Sequence, residues 1–246
     1  MSMAAKKRII VLVIINAVLY IGFVVFDILG AMKILVLDPS PSNEMKYATI
    51  ISCLLITLFS FFAGRKIGVS FERQRAARIQ SIVFAITLGA DFFLLFTGYF
   101  VAGVIVFLFA HAMALYRYKP NWLLPLAIVS MVLCATALIM VSVTSKMDIL
   151  FFPLLCGAYA VLIIGVLVST FHSEQPHINT LLSRSGLILF LGCDINVFFS
   201  NILSTGTTFY AISLVLMWVF YLPAQTMLAL SVVSFQNETT QGKANC

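Results

Sequence analysis

The chain has 246 residues, of which 62% are hydrophobic and 10% are charged, and its mean hydropathy is +1.08. Soluble domains carry about 25% charged residues, so the composition predicts an integral membrane protein with almost no soluble part. The net charge of +6 does not indicate nucleic-acid binding, because the basic residues lie at the ends of the apolar segments. The five cysteines form no CxxC or metal-type spacing, so neither a disulfide nor a zinc site is predicted.

Apolar segments of spanning length follow one another along the whole chain. A membrane-spanning helix needs about 20 mainly apolar residues, and eight segments qualify: 9–29, 46–63, 82–98, 100–116, 122–143, 149–171, 186–202 and 209–233. The first segment is too long for the apolar core of a signal peptide, so we expect a retained helix. We therefore predict an all-α polytopic bundle of eight transmembrane helices, forming a single domain over residues 1–246.

The positive charges predict the orientation. If both termini are cytoplasmic, the outer side receives Lys33, Lys46 and Lys146, and the inner side receives the other 12 of the 15 Lys and Arg residues. The positive-inside rule strongly favours this orientation. An even number of spans agrees with it, since the C-terminus then returns to the side on which the chain starts.

Two segments that connect predicted helices have a predictable local structure. The Thr-Gly-Tyr sequence at 97–99 predicts a tight outer turn, so the third and fourth helices should form an antiparallel hairpin. In the basic inner segment 64–81, Ser70 is a candidate N-cap with Glu72 in the first turn of the third helix. The third and seventh helices both carry Leu-Gly-small-Asp, which suggests a weak repeat of two four-helix halves.

Two aspartates lie near the middle of predicted spans, Asp91 in the third and Asp194 in the seventh. An ionisable group at the bilayer centre costs about 2.5–3.5 kcal/mol on insertion scales. Thr87 precedes Asp91 by one helical turn, and Asn201 follows Asp194 by two turns, each on the same face as its aspartate. We interpret both aspartates as candidate catalytic residues, the alternative being interhelical hydrogen bonds between protonated carboxyl groups.

Other polar side chains in the spans are candidates for lining a pocket. His111 lies in the fourth span and Tyr159 in the sixth, while Tyr221 and Gln225 are one turn apart in the last. Pro223 lies between them and should free a carbonyl group and kink that helix. A pocket role for His111 competes with a purely packing role, and this alternative stays open.

The first helix carries Asn16, Tyr20 and Asp27 on one face. Asp27 is close to the outer end of the helix, where water can reach it, so we expect a solvated carboxylate there.

Several enzyme signatures are missing from the sequence. It contains no GxSxG nucleophile elbow, no HExxH zinc motif and no P-loop. Neither Asp91 nor Asp194 follows the Gly-x-Gly-Asp pattern of intramembrane aspartyl proteases, so that activity is disfavoured.

Four short segments resemble the YhhN-type family of multi-pass membrane proteins, which includes lysoplasmalogenases. Residues 89–95 resemble the family's Gly-Asp element, which is followed by leucines, and residues 103–111 resemble its Gly-x-x-x-Phe-x-x-x-His element. Residues 186–194 resemble its later Leu-Phe and Asp element, and residues 221–225 resemble its closing Tyr-x-x-x-Gln. The resemblance covers roughly residues 47–232.

The resemblance implies hydrolysis of the vinyl ether bond of a lysoplasmalogen, which gives an aldehyde and a glycerophospho-headgroup. Such chemistry needs one carboxylic acid to protonate the β-carbon and one carboxylate to stabilise the resulting cation and activate water. Asp91 and Asp194 would share these roles. The substrate-binding residues would be His111, Tyr159, Tyr221, Gln225 and Asn201, with the lipid headgroup near the basic inner edge.

Two other classes of protein stay open. The aspartates could be proton or cation sites of a small-molecule or lipid transporter, or they could join helices in a membrane protein without enzymatic activity. We expect a lysophospholipid-like membrane lipid as the partner, no cofactor, no metal and no nucleic acid, and we leave a homodimer open. The short loops favour the plasma membrane of a bacterial cell.

Overall fold

The computed structural model describes residues 3–31, 40–66, 68–118, 120–144, 147–172 and 177–233. Over these ranges the chain forms eight helices and no strand. They are α1 (Met3–Ala31), α2 (Ser40–Lys66), α3 (Phe71–Phe92), α4 (Phe100–Tyr118), α5 (Pro120–Thr144), α6 (Met147–Phe171), α7 (His177–Ile202) and α8 (Thr208–Leu230). A π-helical stretch, Phe93–Thr97, extends α3.

Each predicted span falls on a separate helix, which confirms the all-α fold. Four helices begin six to eleven residues before their predicted spans, namely α1, α2, α3 and α7. The predicted segment 209–233 runs past the end of α8 at Leu230. Among the described residues, six helical stretches are long and apolar enough to cross a membrane, so the chain is an integral membrane protein. They are Ala5–Gly30, Pro41–Lys66, Phe71–Thr97, Phe100–Tyr118, Ile178–Ile202 and Thr208–Leu230. In α5 and α6 the described apolar stretches, Leu124–Leu133 and Cys156–Phe171, are shorter.

The helices pack mainly as consecutive pairs. The most extensive contacts join α7 to α8, α5 to α6, α3 to α4 and α1 to α2. Further contacts between α2 and α3, between α8 and both α1 and α2, and between α6 and both α4 and α7 close the bundle. Side chains of α3, α4, α6, α7 and α8 can therefore converge inside it.

The hairpin of α3 and α4 forms as predicted. Gly98 adopts a left-handed conformation with φ of +69°, which a glycine adopts at no steric cost. The two helices approach each other closely at Gly103, where an added Cβ would lie 2.6 Å from Leu94 Cγ and 3.2 Å from the Ala90 carbonyl oxygen. The small residue at 103 therefore sets the distance between α3 and α4.

The basic connection between α2 and α3 also agrees in position with the prediction. Helix α3 begins at Phe71 with Ser70 as its N-cap residue and Glu72 in its first turn. The Ser70 side chain makes no capping hydrogen bond, so only the position of the cap is confirmed.

Pro223 lies inside α8 and leaves the carbonyl of Val219 without an intrahelical donor. The Tyr20 hydroxyl donates to this carbonyl oxygen at 3.3 Å. The hydrogen bond that Pro223 removes from α8 is thus replaced by one from a phenol of α1, and this bond stabilises the contact between the two helices. The chain termini and the predicted outer residues Lys33 and Lys146 lie outside the described residues.

Candidate active site

Asp91 is buried in α3 and bonded to α8. The residue is 1% exposed, and the Tyr221 hydroxyl donates to its Oδ2 at 2.7 Å. Thr87, one turn earlier on the same face, is 2% exposed, as the helical spacing predicted. The pairing explains why a carboxyl group is tolerated among apolar side chains, since buried polar groups need hydrogen-bond partners.

Asp194 has a different environment. The residue is of intermediate exposure in α7, but its Oδ2 is buried and has no hydrogen-bond partner among the described residues. Its carboxyl group is in electrostatic contact with the Tyr159 hydroxyl of α6. A carboxyl oxygen without a partner is available to a ligand or a proton.

His111 and Tyr159 form a second polar pair. The Nε2 atom of His111 and the Tyr159 hydroxyl are 2.7 Å apart, and the ring centroids are 4.7 Å apart in an edge-on arrangement. This pair joins α4 to α6, and through Tyr159 it reaches Asp194. His111 is 6% exposed, and its hydrogen bond shows that it is more than an apolar packing residue.

Two phenylalanines bring the polar pairs together. The Phe190 ring centroid is 5.4 Å from that of Tyr221 and 5.2 Å from that of His111. Phe107 lies 6.3 Å from both rings and 6.1 Å from Phe190. The rings exclude water from the space between the Asp91 and Tyr221 pair and the His111 and Tyr159 pair, so charges there are weakly screened.

A small cavity adjoins this cluster on the side of Gln80. The volume open to a water-sized sphere is about 20 Å³, and the lining includes Thr87, Phe107, His111, Phe190 and Gln225. Such a volume holds about one water. The predicted residue Gln225 is 3% exposed and faces this cavity, so it belongs to the same site.

Asn201 does not join the site. Its side chain is exposed, and its Nδ2 atom donates to the Val197 carbonyl of its own helix at 2.8 Å. Shared helical phase put Asn201 on the face of Asp194, but two turns of helix separate them by about 10 Å along the axis. Asn201 lies next to the end of α7 at Ile202, where it faces outward.

The polar face of α1 packs against α2 and α8. The Asn16 amide donates to Cys53 Sγ at 3.5 Å and to Thr226 Oγ1 at 3.4 Å. Asn16 is 3% exposed, and its role in this seam is to join three helices. Cys53 and Thr226 were not singled out by their sequence context, because a small residue in an apolar run carries no distinctive pattern.

The expectation of a solvated Asp27 is corrected by an ion pair. Asp27 Oδ2 lies 2.7 Å from Lys46 Nζ, and the Ser42 hydroxyl donates to Asp27 Oδ1 at 2.6 Å. The side chains of Asp27 and Lys46 are 19% and 6% exposed. Because the start of α2 covers the end of α1, the carboxylate is paired rather than hydrated.

Lys46 is also connected to the site by the ring of Trp218, a residue that the sequence analysis did not single out. Its Nζ lies 4.7 Å from the Trp218 ring centroid, and Trp218 packs edge-on against Tyr221 at 5.4 Å. The spacing of Trp218 and Tyr221 along α8 was the available signal, since residues three apart on a helix are neighbours.

A further polar cluster lies at the other end of the cavity. Arg117 donates to Gln80 Oε1 at 2.7 Å and to Ser231 Oγ at 3.1 Å. The Tyr118 hydroxyl donates to Ser183 Oγ at 2.7 Å. These bonds join α3, α4, α7 and the end of α8, so this end of the bundle is held by polar contacts.

Comparisons of the chain with protein-family models, with curated proteins and with solved structures find no match. Within the described ranges, no group of three or more His, Cys, Asp and Glu side chains could hold a metal ion. The predicted residues that the structure brings to this site supply two carboxyl groups, two phenols, an imidazole and an amide.

Proposed function

We propose that the chain is a membrane-embedded hydrolase of the YhhN type, which cleaves the vinyl ether bond of lysoplasmalogens. The observation that carries the proposal is the arrangement of two carboxyl groups in unlike environments. The Asp91 carboxyl group is buried and accepts a hydrogen bond from Tyr221, whereas the Asp194 carboxyl group has a buried oxygen without a partner among the described residues. Two carboxyl groups in different surroundings are typical of sites that need one acid and one carboxylate.

Vinyl ether hydrolysis begins with transfer of a proton to the β-carbon, which turns the adjacent carbon into an oxocarbenium ion. Water then adds to that carbon and loses a proton, which gives a hemiacetal. The hemiacetal breaks into a long-chain aldehyde and an alcohol, the glycerophospho-headgroup. In our proposal Asp91 and Asp194 divide the two roles, proton donation and stabilisation of the cation.

The neighbours of the aspartates have positioning roles in this proposal. Tyr221 fixes the carboxyl group of Asp91 through a direct hydrogen bond. His111 fixes Tyr159, which contacts Asp194. Phe107 and Phe190 supply an apolar surface for the alkenyl chain and exclude bulk water, which would otherwise screen the charges that form in the transition state.

The depth of Asp91 changes the expected position of the headgroup. Between Gln80 and Asp91 the helix rises by about 16 Å, whereas Asp91 is only about 9 Å from Thr97. The phosphate of a lysophospholipid is a few bonds from its ether oxygen and does not reach from Asp91 to the Arg117 and Gln80 cluster. We therefore place the headgroup toward the Gly98 end of the bundle.

The direct test is hydrolysis by the purified chain. We expect alkenyl-lysophospholipid to release a long-chain aldehyde with the wild type, and the Asp91→Asn and Asp194→Asn variants to be at least about 100-fold slower, in the range of a lost acid or base group. A lysophospholipid with an ester in place of the vinyl ether is the substrate control and should stay intact. Undiminished hydrolysis by either folded variant would overturn the assignment of the two aspartates.

A proton- or cation-coupled transporter of small molecules or lipids is the alternative function. The observation that favours it is the buried carboxyl oxygen of Asp194 that has no hydrogen-bond partner among the described residues, since such an oxygen is open to a proton or a cation. In that case, reconstituted vesicles would show flux that depends on pH without any chemical product. A non-enzymatic membrane protein would show neither flux nor product, and both asparagine variants would keep its function.

We also propose eight spans with both termini cytoplasmic, in the plasma membrane of a bacterial cell. Lys46, one of the three outer cations, is neutralised by Asp27, which sharpens the charge asymmetry. Thiol labelling of intact cells tests the orientation. A Tyr99→Cys variant, at a position 68% exposed, should react with an impermeant reagent, and a Lys66→Cys variant should react only after lysis.

A further inference from the structure

The cavity beside the aromatic cluster is small and has polar side chains on several walls. Its volume open to a water-sized sphere is about 20 Å³, and Thr87 of α3, His111 of α4 and Gln225 of α8 line it. A site that holds a water needs both this much room and two to four polar partners. The three side chains meet that requirement from three different helices.

Gln225 is a buried polar side chain on the wall of the cavity. It is 3% exposed and lines the cavity from α8. Its amide has two donors and one acceptor. A small polar ligand in the cavity can bond to this amide and so offset the free energy that its burial costs.

Neither aspartate lines the cavity, but three of its lining residues are neighbours of the groups that hold the two carboxyl groups. Thr87 is one turn from Asp91, and Gln225 is one turn from Tyr221, the phenol that donates to Asp91. On the opposite wall, His111 is bonded to Tyr159, which contacts Asp194. A molecule held by Thr87, His111 and Gln225 is therefore about one residue removed from the groups that contact Asp91 and Asp194.

We propose that this cavity binds the water that hydrolyses the substrate, held by Thr87, Gln225 and His111. This inference rests on the proposed function and adds to it the origin of the nucleophile. The water oxygen forms a bond to the oxocarbenium carbon, and one water proton passes to the carboxylate that the first step has left behind. The hemiacetal then breaks its C–O bond to the glycerol while its hydroxyl proton passes to the glycerol oxygen, which gives the aldehyde and the alcohol. Atoms and charge balance, and no metal or redox partner is needed.

The size of the cavity predicts selectivity among nucleophiles. A volume of about 20 Å³ admits water, whereas methanol is larger by a methyl group. In mixtures of water and methanol, capture of the cation by methanol would give a mixed acetal in place of the aldehyde. The wild type should therefore release aldehyde with little acetal, even where methanol is abundant.

Substitutions that keep the side-chain volume test the water site. Thr87→Val removes the hydroxyl and Gln225→Met removes the amide, and each should lower kcat about tenfold, the effect of one good hydrogen bond, with KM little changed. Both should also increase the share of mixed acetal. Thr87→Ser keeps the hydroxyl and should restore the wild-type product ratio.

The matched control is Thr136→Val. The Thr136 hydroxyl donates only to the Val132 carbonyl of its own helix, at 2.8 Å, on an exposed part of α5. The same chemical change there should leave kcat and the product ratio unchanged. If Thr87→Val and Gln225→Met also keep the wild-type product ratio, the water does not come from this cavity and the proposal is overturned.

An experimental structure distinguishes failure of the water site from failure of the hydrolase proposal. An experimental structure at a resolution that shows waters should contain one within hydrogen-bonding distance of Gln225 and Thr87, and the Thr87→Val, Gln225→Met double variant should lack it. A dry cavity in the wild type overturns the water site even if aldehyde is released. A wild type that binds this water but releases no aldehyde refutes the hydrolase and the catalytic role of the water, while the binding site itself stands.

Discussion

The Tyr221 hydroxyl and the Asp91 carboxyl group are 2.7 Å apart, although 130 positions separate the two residues in the chain. The bond joins α8 to α3, and both side chains are almost fully buried, at 4% and 1% exposure. It satisfies one oxygen of the carboxyl group. The packing of α8 against α3 thus orients the Asp91 side chain.

The first prediction concerns this bond. Tyr221→Phe removes the hydroxyl but keeps the ring that packs against Phe190 and Trp218. Since Asp91 then loses its orienting donor, we expect kcat for aldehyde release to fall about tenfold or more, with a smaller change in KM. The control is Tyr99→Phe, at an exposed position, which should behave as the wild type. Equal kcat values for Tyr221→Phe and the wild type would contradict the positioning role.

The second prediction is that His111 and Tyr159 act as a unit. Their side chains share a 2.7 Å contact, so removal of either one breaks the same interaction. We expect His111→Phe, Tyr159→Phe and the double variant to lose similar amounts of activity, because coupled residues give non-additive effects. A double-variant cycle on kcat/KM measures the coupling. Losses that simply add would show that the two residues act independently.

The third prediction tests the ion pair of Asp27 and Lys46. Asp27→Asn leaves the ammonium group of Lys46 buried without its counter-charge, and we expect the free energy of unfolding in detergent to fall by about 3 kcal/mol. The Asp27→Asn, Lys46→Met double variant should recover part of this loss, since it removes the charge left unpaired. Thermal unfolding of the purified variants measures both.

A surface pair provides the control for this prediction. Arg75 and Glu72 approach to 3.7 Å, with side chains 23% and 76% exposed. Exposed ion pairs contribute about 0–1 kcal/mol, so Glu72→Gln should change stability little. If Glu72→Gln costs as much as Asp27→Asn, burial does not explain the strength of the Asp27 and Lys46 pair.

The fourth prediction concerns the distance between α3 and α4. Gly103→Ala places a Cβ 2.6 Å from Leu94 Cγ and 3.2 Å from the Ala90 carbonyl oxygen. We expect overpacking of about 1–3 kcal/mol, measured by thermal unfolding. Gly89→Ala is the matched control, because the nearest atom to its Cβ would be Val106 Cγ1 at 4.0 Å. Equal stability of the two variants would contradict a close contact at Gly103.

Much of the fold is predictable from the sequence because the spacing and length of apolar runs are local properties. Hydropathy located all eight helices, and the Thr-Gly-Tyr sequence located the turn at Gly98. Helical periodicity placed Thr87 beside Asp91 and Gln225 beside Tyr221. In each case the relevant partners are at most a few turns apart on one helix.

Contacts between distant helices were not predictable in this way. The pairs of Asp91 with Tyr221 and of Asp27 with Lys46 depend on how helices pack, which no local pattern encodes. For Asn201 the prediction was wrong. Asn201 lies on the same face of α7 as Asp194, but it is two turns away along the helix axis and therefore outside the site. Phase along one helix states which side a residue faces, whereas membership of a site also requires the same depth.

The measurement that tests the central claim most directly is hydrolysis of an alkenyl-lysophospholipid in deuterated water, with the aldehyde reduced to the alcohol as it forms. Proton donation by an intramembrane aspartate to the β-carbon predicts one deuterium at that carbon of the product from the wild type. It also predicts no product above background from Asp91→Asn and Asp194→Asn. Aldehyde without deuterium at that carbon, or deuterated aldehyde formed equally fast by either folded variant, would contradict the account.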